Sequence, residues 1–127
     1  MTRSLLETDG YKFSMAEAGY PLRQETFSYT HRKGGWQFLP VDVAEVVRDL
    51  LPVASADDYA WLDTHGYFQG GAFRSAIARH DRVRVDAMPK GSWFWEREPV
   101  FTVTGPSALA SWLEPLILQL HYATWIA

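Results

Sequence analysis

The chain has 127 residues, 47% of them hydrophobic and 21% charged, a balance that excludes wholesale disorder and predicts one domain with a buried core. Twelve Lys and Arg stand against fifteen Asp and Glu, a formal charge of −3 without the basic surplus of a dedicated nucleic-acid binder. The absence of cysteine excludes a disulfide framework, a thiolate metal site and a cysteine nucleophile, and fits a reducing, cytoplasmic compartment. No apolar run reaches the ~18 residues of a membrane span. The stretch Met1–Lys12 mixes charges of both signs and does not read as a signal peptide.

In chain order, Thr8 or Asp9 can cap a helix from about Gly10 to Ala18, stopped by Gly19-Tyr20-Pro21. Phe27 and Tyr29 alternate with Thr26, Ser28 and Thr30, which predicts a strand over Glu25–Arg32. His31-Arg32-Lys33-Gly34-Gly35 follows as a basic loop ending in two glycines. Val41, Ala44, Val47 and Leu51 recur at helical spacing and predict a helix over about Asp42–Leu51, closed by Pro52. Ser55-Ala56-Asp57-Asp58 reads as the cap of a short helix, Asp57–Thr64, and Ala72–Arg79 as a further helix. The period then changes to two. Val83–Ala87, Trp93–Trp95 and Pro99–Thr104 read as three strands of a small antiparallel sheet or part of a barrel, with Pro89-Lys90-Gly91 as a turn.

Leu109, Trp112, Leu113, Leu116, Ile117 and Leu120 form the strongest helical pattern, with Pro106 in its first turn and Pro115 inside it. The pattern continues through Trp125 and Ile126 to Ala127 with no glycine or basic cap, so the expectation is a cut rather than a finished terminus. Aromatics reach 15%. They fit either an aromatic-rich core or a surface that faces a partner outside this chain.

The sequence contains no HExxH, GxxxxGK[ST], GxGxxG or GxSxG. His31, His65, His80 and His121 offer no i, i+4 pair for a metal, and Asp57-Asp58 fits helix capping better than acid/base work. Two features remain. Thr8-Asp9-Gly10-Tyr11-Lys12 sets a carboxylate and a phenol two residues apart at a helix start. The carboxylate can cap backbone N–H groups or bind a ligand, while Tyr11 offers a flat face to a heteroaromatic ring. In the basic loop, Arg32 and Lys33 beside glycine N–H groups suit a phosphate or form a solvated charged turn.

Taken in order, these pieces resemble the nicotinate phosphoribosyltransferases. Thr8-Asp9-Gly10-Tyr11-Lys12-Phe13-Ser14-Met15-Ala16 resembles that family's opening "TDxYxxxMA" segment, and Glu25–Lys33 is similar to its first strand, which ends in a basic pair. Val83–Gly105, with Pro89-Lys90-Gly91, Glu98-Pro99-Val100 and Val103-Thr104-Gly105-Pro106, resembles the family's "V-x-x-x-P-x-G … E-P-(x)n-V-x-G-P" sheet. Leu116–Ala127 resembles the helix that enters the catalytic half.

The resemblance implies an α+β fold, the N-terminal α/β domain of a larger two-domain enzyme, with a small antiparallel sheet and a last helix leading into a missing barrel. It implies an activity that joins nicotinate to phosphoribosyl pyrophosphate, giving nicotinate mononucleotide and pyrophosphate, with Mg and usually ATP. It also implies a homodimer with active sites between subunits. Tyr11 matches the tyrosine that stacks on the pyridine ring, Asp9 the acidic residue beside it, and Arg32 and Lys33 the basic residues that reach the substrate phosphates; Lys12 is a weaker match. The family's phosphorylated histidine, carboxylate-binding arginine and ribose-binding acid lie beyond the matched region, so the expectation is no activity from this chain alone. Nicotinamide in place of nicotinate, and a non-catalytic binding or oligomerisation module, are the alternatives.

Overall fold

The alternation of Phe27 and Tyr29 with polar residues builds β1, Gln24–Tyr29, the first element of a computed structural model that describes residues 4–10, 12, 13, 15, 21–32, 34–67 and 70–120, with Leu120 by its backbone alone. The strand ends three residues short of the expected Arg32 because the chain turns inward there. His31 is fully buried, its ring edge-on to Phe94 at 5.0 Å.

The central strand of the main sheet is β5, Phe101–Pro106, flanked antiparallel by β1 and by β3, Arg84–Ala87. Tyr29 lies opposite Phe101, Phe27 opposite Val103, and Val85 opposite Val103 from the other side. Phe101 and Val103 are buried, whereas Thr26 and Thr104 share a hydroxyl contact of 2.8 Å on the outer face. One face therefore carries the core and the other meets water.

The expectation that Trp93–Trp95 joins this sheet is corrected. That segment, β4, leaves it and pairs antiparallel with β2, Trp36–Phe38, in a separate two-stranded ribbon. Three residues after Gly34-Gly35 are too few to show a period, so β2 was not anticipated. A Cβ at Gly34 would collide with the Gln37 side chain, and both glycines have positive φ, which explains their place at the start of the ribbon. No barrel closes among the described residues.

The helices follow the sequence closely. In α1, Val43–Leu50, Asp42 accepts the Glu45 N–H as N-cap, and the buried stripe is Val43, Val47 and Leu50; of the expected Val41, Ala44, Val47 and Leu51, Val47 and the following Leu51 are buried, whereas Val41 and Ala44 are only half-buried. The true stripe has i, i+4, i+7 spacing, which keeps the three side chains on one face. Helices α2, Ala56–Thr64, and α3, Gly71–Ala78, each start one residue before their expected bounds, and a 3₁₀ turn follows at His80–Arg82. Helix α4, Ser107–Leu120, contains Pro115. Pro106 is the last residue of β5 and not in the helix, so the strand runs directly into α4. Of the expected helix over Gly10–Ala18, Lys12, Phe13 and Met15 are helical, while Tyr11, Ser14 and residues 16–18 lie outside the described residues, as does the tail from His121 to Ala127. Among the described residues no helix is long and apolar enough to cross a membrane.

Two polar anchors fix the N-terminal segment. The fully buried Trp112 donates its indole N–H to the Leu5 carbonyl at 2.7 Å, and Thr8 donates its hydroxyl to the Trp112 carbonyl at 3.0 Å. Asp58 caps α2 through a capping box with Ser55 and also accepts the Ser4 hydroxyl at 3.0 Å and the Leu5 N–H. Burial pushes the Asp58 carboxyl up, but the hydrogen bonds from Ser55, Ser4 and Leu5 outweigh it and hold the group below its ordinary value. A depressed folded pKa gives stability that is present above the unfolded value and lost as pH falls through the folded one. Asp58→Asn is therefore expected to cost about 1–3 kcal/mol at neutral pH. Its melting temperature should also fall less steeply than that of the parent as pH is lowered below about 4, checked by thermal melts across a pH series.

Candidate functional site

Two clefts flank the second half of α4. The first, of about 420 Å³, is lined by Phe27, Ser28, Tyr29, Thr30 and Arg32 from the end of β1 and by Glu114 and Leu118 of the helix. The second, of about 350 Å³, is lined by Glu7, Thr8 and Asp9 with Pro115, Leu116 and Gln119. Glu114 and Leu118 are four residues apart, as are Pro115 and Gln119, so adjacent stripes of one helix form the inner walls of both clefts.

The first cleft holds the chemistry. Arg32, at the mouth of the β1–β2 loop, is exposed. Tyr29 is buried, stacked on Phe101 at 4.5 Å, and its hydroxyl has no hydrogen-bond partner among the described residues. Burial, and secondarily the charge of Glu114, raise the Tyr29 hydroxyl well above the usual tyrosine range. Tyr29 is thus a neutral O–H across the physiological range. Glu114 in turn pairs with the buried Lys12 at 3.1 Å. A guanidinium, a neutral hydroxyl and a paired carboxylate around one cleft suit an anionic ligand that also carries hydroxyls.

The basic loop is less cationic than its sequence implies. Burial lowers the pKa of His31, so this residue belongs to the core and carries no charge at neutral pH. The Gly35 N–H donates to Glu96 Oε2 at 3.1 Å and is not open to a phosphate. Arg32 is left as the described cation of the loop facing the first cleft; Lys33 lies outside the described residues.

Asp9 is exposed and lines the second cleft, so the structure sets it and Arg32 in different clefts along adjacent stripes of α4. Its carbonyl, rather than its carboxylate, receives the Lys12 N–H at 3.0 Å. The Lys12–Glu114 pair connects this segment to the first cleft. Tyr11, between Asp9 and Lys12, lies outside the described residues. Sequence reasoning did not single out Tyr29 or Glu114. Tyr29 reads as a plain inward position of an alternating strand, and Glu114 as a polar break in an apolar helix. That polar break, inside so strong a pattern, was the one available signal.

His65 stacks on Trp61 at 3.8 Å and His80 sits in the 3₁₀ turn, so neither reaches these clefts. No grouping of three or more His, Asp or Glu that could hold a metal ion occurs among the described residues.

No protein-family model matches the chain, and no curated protein sequence matches it. Among solved structures it is similar to human nicotinic acid phosphoribosyltransferase, with a TM-score of 0.69 and 22% identity over 89% of this chain and 25% of that one. The likeness establishes the fold. The chain spans about a quarter of the length of that enzyme.

The Lys12–Glu114 pair yields a stability prediction. Glu114→Gln removes the carboxylate facing a buried ammonium and should destabilise the chain by about 1–3 kcal/mol. Adding Lys12→Met should recover part of that loss, both read from denaturant midpoints.

Proposed function

We propose that this chain is the N-terminal part of a nicotinate phosphoribosyltransferase-like enzyme, which joins nicotinate to phosphoribosyl pyrophosphate in NAD biosynthesis and releases pyrophosphate. The observation that carries the reading is Arg32 at the rim of a cleft of about 420 Å³, beside the neutral hydroxyl of Tyr29 and the Glu114–Lys12 pair. The fold likeness to a phosphoribosyltransferase supports it. Arg32, with Lys33 next to it, supplies positive charge for the phosphates of the sugar substrate. Tyr11 supplies a stacking face for the pyridine ring, with Asp9 beside it. Displacement of pyrophosphate by a ring nitrogen places most of its demand on positioning and charge stabilisation, and these side chains are suited to both. The groups that would clamp pyrophosphate and hold magnesium or ATP are assigned to a barrel-like half outside this chain, and the complete enzyme to a homodimer.

The reading is tested by supplying the missing half, in the form of the human enzyme lacking its matching quarter, and assaying for nicotinate mononucleotide. Turnover on mixing supports the reading, and a stable complex without turnover points to a non-catalytic module instead. The same assay with nicotinamide decides the base. Within an active assembly, Arg32→Ala is expected to raise the KM for phosphoribosyl pyrophosphate about tenfold or more while changing that for nicotinate little. Tyr11→Ala should do the reverse. Equal effects of Arg32→Ala on both substrates would indicate lost packing and remove Arg32 from the site.

A further inference from the structure

A third cleft, of about 350 Å³, has no lining residue on α4 and none in common with the two clefts described above. It is built by the α1–α2 loop, by α2 and α3, and by the 3₁₀ turn that follows α3. Arg74, Ile77 and Ala78 stand three and four residues apart on α3, so one face of that helix lines it. The buried Ile77 and Pro52 form its floor, and the exposed Val53 and Ala78 its rim.

Three polar side chains complete the lining, and each can donate. The Arg74 guanidinium lies 4.1 Å over the Tyr59 ring, which covers one of its faces and leaves its edge N–H groups to other partners. Among the described residues it meets no carboxylate, unlike Arg23, Arg79 and Arg84, each of which pairs with an acid two residues further on. A guanidinium held in place by a ring, and not engaged by an acid, is preorganised for an anion. Burial raises the Tyr59 hydroxyl above its ordinary value against the opposing charge of Arg74, with Asp58 adding to the rise, so this group is an O–H donor at neutral pH. His80 offers a ring N–H in either protonation state. Among the described residues no acidic side chain lines the cleft.

The lining selects one class of ligand. Three donors without an acid call for an anion, and an apolar floor calls for a hydrocarbon body. A phosphate is matched by several cations or by a nest of backbone N–H groups, and its second charge loses more solvation against Ile77 and Pro52. A carboxylate matches the planar fork of a single arginine. The volume is that of a small-molecule site. We propose that this cleft binds a small apolar monocarboxylate, its carboxylate on the exposed Arg74 and its hydrocarbon body against Ile77 and Pro52. The Arg32 cleft is separate, and neither reading depends on the other.

Titration of the 127-residue chain with octanoate, followed by amide chemical shifts, tests the proposal. Saturable shifts are expected in the α1–α2 loop, at Tyr59 and from Arg74 to His80, with a Kd of about 1 mM or tighter. At about 1 mM each, 1-octanol should give shifts at least about fivefold smaller than octanoate. Inorganic phosphate at about 10 mM should give none there. Arg74→Gln should weaken octanoate at least about tenfold, whereas Arg48→Gln, at an exposed position of α1, should leave it unchanged. Absence of saturable shifts up to about 10 mM octanoate would overturn the proposal. So would equal binding of 1-octanol, which leaves only an apolar hollow, or binding of phosphate, which makes Arg74 a plain anion site. An Arg74→Gln variant that binds like the parent, or an equal loss in Arg48→Gln, would overturn it as well. Should Arg74→Gln fail to fold, Ala78→Glu replaces it: a carboxylate at the exposed rim should abolish octanoate binding, and retained binding is read the same way.

Discussion

The hydrogen bond from the Trp112 indole to the Leu5 carbonyl ties together two parts of the chain 107 residues apart. Trp112 is fully buried at the centre of α4, so its N–H must find an acceptor inside the protein, and the one it finds belongs to the N-terminal segment. Thr8 closes the same contact from the other direction by donating to the Trp112 carbonyl. Residues 4–10 are thereby laid along the helix, with Asp9 in the second cleft and Lys12 within reach of Glu114. Asp58 reinforces this clamp from α2 by accepting Ser4 and Leu5, so one short segment is held by two helices at once.

The site inherits its division from that arrangement. Because α4 presents Glu114 to one cleft and Pro115 to the other, two features that are neighbours in the functional reading line different clefts on adjacent stripes of the helix. Arg32 lines one cleft and Asp9 the other, and the Lys12–Glu114 pair is the link between them. The pair also explains how a glutamate is tolerated in so apolar a helix. Its charge is matched by an ammonium that is itself buried. Burial raises the Tyr29 hydroxyl and the charge of Glu114 adds to that shift, so the pair that stabilises the fold also borders the neutral hydroxyl of the cleft.

The parts of this fold that were legible in the sequence are those with enough residues to show a period or a cap. The buried stripe of α4, the capping box at Ser55 and the alternation of β1 all survive in the structure. The pairing of strands was not legible. Trp93–Trp95 and Trp36–Phe38 are three residues each, and their partnership depends on where two distant loops bring them. His31 illustrates a different limit. Beside Arg32 and Lys33 it reads as part of a basic cluster, yet it is buried on Phe94, a contact that no local pattern announces. Arg32 is singled out by its position after a strand, whereas Tyr29 and Glu114 come to line the same cleft through long-range packing alone.

The aromatic surplus divides between the core and the surface. Phe13, Tyr29, Phe73, Phe94, Phe101 and Trp112 build the core, while Trp36, Phe38, Trp93 and Trp95 do not enter it. In β4 the order Trp-Phe-Trp sends the smaller ring inward and the two larger ones out. Shifting the strand by one residue would bury the tryptophans and expose Phe94, since side chains alternate strictly along a strand. Hydrophobic burial alone would favour that shift, as tryptophan removes more apolar area from water than phenylalanine. Three contacts hold the observed register. Phe94 fills the space beside His31, and the Leu39 N–H and Glu96 N–H bond to Ser92 and Gly35 at the two ends of the ribbon. The exposed aromatic face is therefore fixed by the packing beneath it.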